Sequence, residues 1–282
     1  MNNLRDVAYR LDPVQWVREI LGIVPSSWQE TFLRAAPAAS LLALTARQVG
    51  KTTTAAWAIA HTMVFTPGSL SVIACPALRQ SAEAVRKVRA ALIKAGAEIK
   101  TNNIYTLELK NGSRVMALPS EEDSIRGLTV DGWIVADEAA RLDDALIAAL
   151  RPMRARRPQA RFAMLSTALS RTDPFWEAWD SDNQNYIRLK ATVDVFPDLF
   201  KPEFLAEERA TMRKEVFDRE YLGIPGGAHT SPFTWELYER ATNVHPPQVA
   251  RGPAFLPPAE QGAPIQHPFK LLGPTGGNYA FQ

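Results

Sequence analysis

The chain has 282 residues, of which 46% are apolar, and carries 32 Lys and Arg against 30 Asp and Glu. That is material for one large domain, or a domain with a tail. The near-zero net charge excludes a polycation that binds nucleic acid as a whole, leaving only local patches for that role. Cys75 is the single cysteine and lies in an apolar run, so an internal disulfide and a cysteine metal cluster are both excluded, and it reads as a small core residue. The opening MNNLRDVAYRLDP lacks the apolar centre of a signal peptide, and no stretch reaches the ~18 apolar residues of a membrane span. A soluble, intracellular protein without a membrane partner is expected.

Residues 1–40 read as mostly helical. Asp12-Pro13 before Val14, Val17, Ile20 and Leu21 marks a capped amphipathic helix. After a break at Ile23–Ser27, Ser26 or Ser27 caps a second helix over 28–36. Gln29 sits at its start; an amide offering both a donor and an acceptor suits an adenine edge, while the plainer alternative is a solvent-facing glutamine beside a core Trp28.

The stretch LLALTARQVGKTTT, 41–54, is the chemical centre of the chain. Leu41–Leu44 read as a buried strand, Thr45–Val49 as a polar loop, and the alanine-rich segment from about Thr53 to Thr62 as a helix. Strand, loop, Gly50-Lys51-Thr52 and helix are the parts of a phosphate-binding loop. Free N–H groups at a helix start favour phosphate. Lys51 supplies a point charge, and the Thr52 hydroxyl is a ligand for Mg²⁺. The first glycine of the usual motif is replaced by Thr45.

A second buried strand spans 69–75, and a helix from Leu78 to Ala95 carries Arg79, Arg86, Lys87, Arg89 and Lys94, either as a solvated face or as one that meets DNA. Asn111-Gly112 between alternating runs marks a hairpin over 105–118. The polar loop Ser124-Ile125-Arg126-Gly127 follows. Trp133–Ala136 then runs into Asp137-Glu138, about 86 residues after Lys51: an apolar strand ending in two carboxylates fits a Walker B element, with Asp137 on Mg²⁺ and Glu138 polarising water. Asp143–Leu150 reads as a helix. Arg151, Arg154, Arg156, Arg157 and Arg161 then fall in a stretch (145–172) with no acidic residue, suited to phosphate backbone, to a neighbouring subunit, or to a solvated face. A strand over 162–168 ends in Ser166-Thr167, hydroxyls suited to sensing the γ-phosphate. A helix from Asp173, a strand over 186–192, and helices over 202–213 and 216–222 ending at Gly223 complete the core. From Pro225 onward the chain is rich in Pro and Gly, with one short helix expected over 233–241 and the rest extended or disordered.

These segments, in this order, resemble the ATPase half of the large terminase subunit, the genome-packaging motor of tailed double-stranded DNA phages. The resemblance rests on Trp28-Gln29, Ala46–Thr52, Ser124–Gly127, Ile134–Ala139, Leu165–Ala168 and Phe217–Gly223, and covers roughly 15–240. That family also lacks the first glycine and carries an arginine in the loop, as Thr45 and Arg47 do here. The resemblance implies an α/β P-loop NTPase with a central, mostly parallel sheet, whose ATPase core spans 41–224 behind a helical segment over 1–40 and ahead of a linker-like tail over 225–282.

It further implies ATP and Mg²⁺ as cofactors and a site made of Gln29 (adenine), Thr45, Ala46, Arg47, Gln48, Val49, Gly50, Lys51, Thr52 and Thr53 (nucleotide), Asp137 (Mg²⁺) and Glu138 (catalysis), with Ser166-Thr167 coupling hydrolysis to movement. Arg126, eleven residues before Asp137, falls where the family can carry an arginine finger acting on the next subunit, with Arg141 and Arg171 as competitors. Implied partners are double-stranded DNA, a homo-oligomeric ring, a portal and a small terminase subunit; since no aspartate follows Asp218 to build the family's two-metal nuclease, either the nuclease is a separate chain or this one is a truncated product. The implied location is the host cytoplasm, docked at the procapsid. A helicase-like ATPase and a non-hydrolysing assembly protein are the alternatives.

Overall fold

The computed structural model describes residues 4–119, 127–196 and 200–226. Arg126, most of its loop, and the expected helix and tail beyond Gly226 lie outside the described residues. Two short helices, α1 (Leu4–Leu11) and α2 (Pro13–Ile20), open the chain, and α3 (Ser27–Leu33) follows. Asp12 ends the first and starts the second: its carboxylate accepts the Val14 N–H at 3.0 Å, the expected N-cap. Alternation then begins with β1 (Ser40–Thr45), α4 (Lys51–Phe65), β2 (Leu70–Ala74) and α5 (Leu78–Lys94). Three short strands come next, β3 (Ile99–Asn102), β4 (Thr106–Leu109) and β5 (Arg114–Leu118), and then β6 (Trp133–Asp137), α6 (Asp144–Leu150), β7 (Arg161–Ser166), α7 (Pro174–Asp180) and β8 (Tyr186–Ala191). The last described helices are α8 (Pro202–Thr211) and α9 (Lys214–Phe217).

The eight strands form one sheet in the order β3-β4-β5-β2-β6-β7-β1-β8. It is parallel from β5 to β8; β3 and β4 add an antiparallel margin. The Asn-Gly hairpin forms with Leu107 opposite Val115. Strand β3 was not expected: its sequence, Ile-Lys-Thr-Asn, has one apolar residue and a register shift against β4, so it lacks a readable period. The expected helix over 216–222 is instead the short α9 followed by a wide π turn, Asp218–Leu222. Within it the Glu220 carbonyl accepts the Arg47 N–H at 2.8 Å and the Tyr221 carbonyl accepts the Val193 N–H at 3.0 Å. Gly223 closes the turn at φ +66°, and a β-carbon there would lie 2.9 Å from Thr192 Cγ2, so a larger residue does not fit.

Period-2 alternation divides the core between two layers. On β1, Leu41 and Ala43 face a cluster with Trp16, Phe32, Ile59 and Val88, drawn from α2, α3, α4 and α5. Leu42 and Leu44 face Leu146, Leu150 and Phe175 from α6 and α7. Both sides of the parallel strands are covered, which is why β1, β2 and β6 read as continuous apolar runs. Helix α4 is alanine-rich because it is enclosed: Thr54 through Met63 are all buried.

Candidate nucleotide site

Strand β1 delivers the loop Ala46–Gly50 to the carboxyl end of the sheet, where ligands sit in open α/β folds. The loop is anchored by its backbone: Ala46 N–H donates to Ala191 O at 2.7 Å and Arg47 N–H to Glu220 O. Gln48 (φ +61°) and Gly50 (φ +87°) adopt left-handed conformations. Such turns point consecutive N–H groups to one side and form an anion cradle. Helix α4 starts immediately after, with its positive end toward the cradle.

Facing it is the tip of β6. The Thr52 hydroxyl donates to Asp137 Oδ2 at 2.5 Å, and Lys51 Nζ lies 2.7 Å from Glu138 Oε1. Asp137 is only 4% exposed; burial pushes its carboxyl up, against the opposing pull of Lys51 and Thr52. Glu138 is held at φ +56°, ψ +41°, a conformation that costs a non-glycine residue roughly 1–2 kcal/mol. Its N–H donates to Asp137 Oδ1 at 3.0 Å. The turn after it is fixed from β7, where Ser166 Oγ accepts the Ala140 N–H at 3.2 Å. Behind the acids, burial pushes the Cys75 thiol up to about 12, so it is an inert neighbour.

Arg47, Lys51, Gln80, Glu138, Arg141, Thr167 and Glu220 line an open cleft of about 320 Å³. The structure brings Lys51, Glu138 and Thr167 together in the cleft, with Thr52 and Asp137 in contact beside them. Arg47 points outward, its side chain 64% exposed and 4.0 Å from Glu220. Gln48 is exposed; Val49, Gly50 and Thr53 are half-buried. Ala46 is fully buried, as is Thr45 at the end of β1, whose hydroxyl has no hydrogen-bond partner among the described residues. Gln29 is 8% exposed, with Oε1 accepting the Ser26 N–H and Nε2 donating to Thr54, both at 2.9 Å. Neither the expected solvent position nor an amide free to meet adenine is found. Gln80 and Glu220 were not singled out for the cleft; Glu220 lies within the Phe217–Gly223 stretch that carries the resemblance, and no local pattern marks Gln80. Arg141, expected only as a competing finger, lies 3.9 Å from Glu138 within the same cleft.

The basic stretch resolves differently. Arg161 Nε donates to Ala35 O at 2.8 Å and its guanidinium lies over the Trp133 ring. Arg154 donates to Ser40 Oγ at 2.8 Å and lies over Phe162, which Arg151 also covers. These three arginines stitch the amino ends of β1, β6 and β7, leaving Arg156 and Arg157 on the surface.

A sheet in which β7 separates the phosphate-loop strand from the Asp-Glu strand, with a hydroxyl at the tip of β7, has the architecture of a P-loop NTPase. The chain belongs to the family described as terminase large subunit, T4likevirus-type, N-terminal, which matches residues 42–239. Among solved structures, the ATPase domain of the large terminase from Thermus phage P74-26 is 22% identical with TM-score 0.61, over 76% of this chain and 98% of that one. The large terminase of bacteriophage HK97 is 16% identical with TM-score 0.63, over 77% of this chain and 55% of that one. That of thermophilic bacteriophage D6E, in complex with ADP, is 14% identical with TM-score 0.54, over 76% and 52%. At these identities the likeness bears on the fold. The chain spans about half the length of the HK97 and D6E proteins. No curated protein matches it. Among the described residues, no helix is long and apolar enough to cross a membrane.

Proposed function

We propose that this chain is the ATP-hydrolysing subunit of a motor that drives double-stranded DNA into a phage capsid. It works in the host cytoplasm as part of a homo-oligomeric ring docked on the procapsid portal, with a small terminase subunit as a further partner. The observation that carries the reading is the facing pair: Lys51-Thr52 at the start of α4 against Asp137-Glu138 at the tip of β6, across an open cleft lined by Arg47 and Thr167.

Mg²⁺ fits the donors present. A buried carboxylate beside a hydroxyl, open to a cleft that takes phosphate oxygens, is the partial protein ligand set such a hard ion uses. Asp137 and Thr52 would hold it, and when bound it neutralises charge on the phosphate oxygens. The remaining work falls to the chain's own groups. Lys51 is neutralised by Glu138 in this state; on binding phosphate it exchanges that partner for phosphate oxygens. Glu138 is thereby released to orient water and accept its proton. Arg47, exposed at the rim, folds onto the phosphates. Ser166 and Thr167 at the tip of β7 report the change, since Ser166 holds the turn that carries Glu138. Arg126 is the proposed trans-acting finger.

The test is phosphate release against protein concentration, with and without linear double-stranded DNA, for wild type, Glu138→Ala and Arg126→Ala. A rate that rises faster than linearly, responds to DNA and is lost in both variants is expected. Nucleotide binding without turnover in every condition overturns the hydrolytic reading.

A further inference from the structure

A second cleft, of about 330 Å³, opens at the amino ends of β6 and β7, between the junction of α1 with α2 and the loop after α3. Its buried lining includes Ala58 and the Trp133 ring, whose indole N–H is spent on Thr62 Oγ1 at 3.1 Å. Phe32 stacks on that ring at 5.2 Å, and the Arg161 guanidinium lies over it at 5.3 Å. Three arginines line the cleft (Arg10, Arg34 and Arg161) against one carboxylate, Asp12, a surplus of two positive charges. They differ in how they are matched. Arg34 donates to Asp12 through Nε and Nη2 and to Glu30 through Nη1, and Asp12 raises its pKa. Arg161 donates only from Nε, to Ala35 O; its Nη groups have no acceptor among the described residues, and burial alone moves its pKa, downward. Arg10 is exposed and likewise unpaired with a carboxylate among those residues. Its neighbour Leu11 stands at the mouth, 78% exposed. Leu11 shares one face of α1 with Leu4 and Val7, both exposed, while Tyr9 turns inward.

We propose that this cleft and the adjoining face of α1 form a docking site for a partner protein: an acidic side chain of the partner enters the cleft onto Arg161 and Arg10, and its apolar neighbours cover Leu11, Val7 and Leu4. A guanidinium laid flat on a ring is pre-oriented, and its unspent N–H edge matches a carboxylate. An arginine and a tryptophan in one partly enclosed cleft, flanked by apolar surface, are the residue types that anchor protein interfaces. Duplex DNA fits less well. Residues 4–34 carry four arginines and four carboxylates, and Arg5, Arg18 and Arg34 are each paired with one, so the surface lacks the extended positive field that a phosphate backbone needs. An exposed apolar stripe also gains from apolar cover, which a phosphate backbone does not supply. The site lies at the opposite end of the sheet from the phosphate loop and does not depend on the nucleotide reading.

The test is selection of a random-peptide library on the full chain, with counter-selection on the Arg10→Ala/Leu11→Asp double variant, whose two positions are exposed and leave the fold intact. Peptides that bind wild type and not the double variant are expected to carry an aspartate or glutamate beside an apolar residue. Replacing that acid by its amide weakens binding at least about tenfold, as a lost charge-assisted hydrogen bond does. Arg161→Gln has the same effect, with urea unfolding measured alongside to separate lost binding from lost folding. Arg10→Ala and Leu11→Asp singly each weaken the peptide several-fold. Retained peptides without an acidic residue, or none that distinguish wild type from the double variant, overturn the proposal. A short DNA duplex whose binding falls in Arg10→Ala and Arg161→Gln, while no peptide is retained, overturns it in favour of backbone contact. Inorganic phosphate that binds as tightly as the peptide, with Leu11→Asp silent, overturns it in favour of a free-oxyanion site.

Discussion

The two ends of the sheet use the same residue types to opposite effect. At the amino ends of the strands, Arg161, Arg154 and Arg151 are folded down onto aromatic rings, and the first two also onto oxygen acceptors. At the carboxyl ends, Arg47 reaches outward, Glu138 is held in a left-handed conformation, and Asp137 is buried against the ordinary preference of a carboxylate. One end holds these arginines against internal partners. The other pairs its charges across an open cleft, Lys51 with Glu138 and Arg47 at 4.0 Å from Glu220, and holds Glu138 in a strained conformation, as backbone strain gathers where ligands bind. Basic clustering in a sequence therefore says little about binding until the acceptors around each guanidinium are known.

That contrast breaks cleanly under mutation. The largest effect is expected for Glu138→Gly: hydrolysis falls about 10²- to 10⁴-fold in phosphate-release assays, while urea unfolding is unchanged or raised by up to about 1 kcal/mol, because glycine accepts the left-handed backbone. A marked loss of stability would contradict a strained functional position. At the opposite end, His61 on α4 donates from Nε2 to Tyr9 O at 2.8 Å, and burial holds its pKa down at about 4, against the ordinary 6.5. The unfolded chain takes up that proton first. The associated stability is therefore complete above pH 6.5 and is lost as the pH falls toward 4, by about 3 kcal/mol. Unfolding midpoints measured across that range are expected to decline less steeply in His61→Gln; an equal decline would remove His61 as the cause.

Arg161→Ala unpairs Ala35 O and strips the cation from Trp133, with an expected cost of about 2 kcal/mol in chemical denaturation. Arg161→Lys recovers only part of it, since an ammonium cannot lie flat on the ring. The smallest effect belongs to Arg156→Ala, within about 0.5 kcal/mol of wild type by the same measurement. A large effect there would show that the basic stretch contains a fourth stitch.

What was legible in the sequence was what local pattern controls. The buried runs of β1, β2 and β6, the Asn-Gly hairpin, the Asp12 cap and the Gly50-Lys51-Thr52 and Asp137-Glu138 signatures each lie within a few consecutive residues. What depended on distant partners was not legible. Nothing near Arg161 announces Trp133 or Ala35. Nothing near Glu220 places it beside Arg47, and a glutamine facing solvent, adenine or Thr54 reads the same in one dimension. Strand β3 failed for a different reason, since an edge strand with a single apolar residue carries no alternation to detect.

The strand order has a consequence for the making of the protein. The phosphate-loop strand emerges early in synthesis, yet both of its hydrogen-bonding neighbours come late: Ser40 pairs with Phe162 on one side and Tyr186 on the other. Until β8 has left the ribosome, β1 has an unpaired edge and Ala46 lacks the Ala191 carbonyl that anchors the loop. The half of the sheet that carries the phosphate loop is thus closed by long-range pairing, the slowest kind to form. A nascent chain ending short of residue 191 has the signature of a nucleotide site without the site itself.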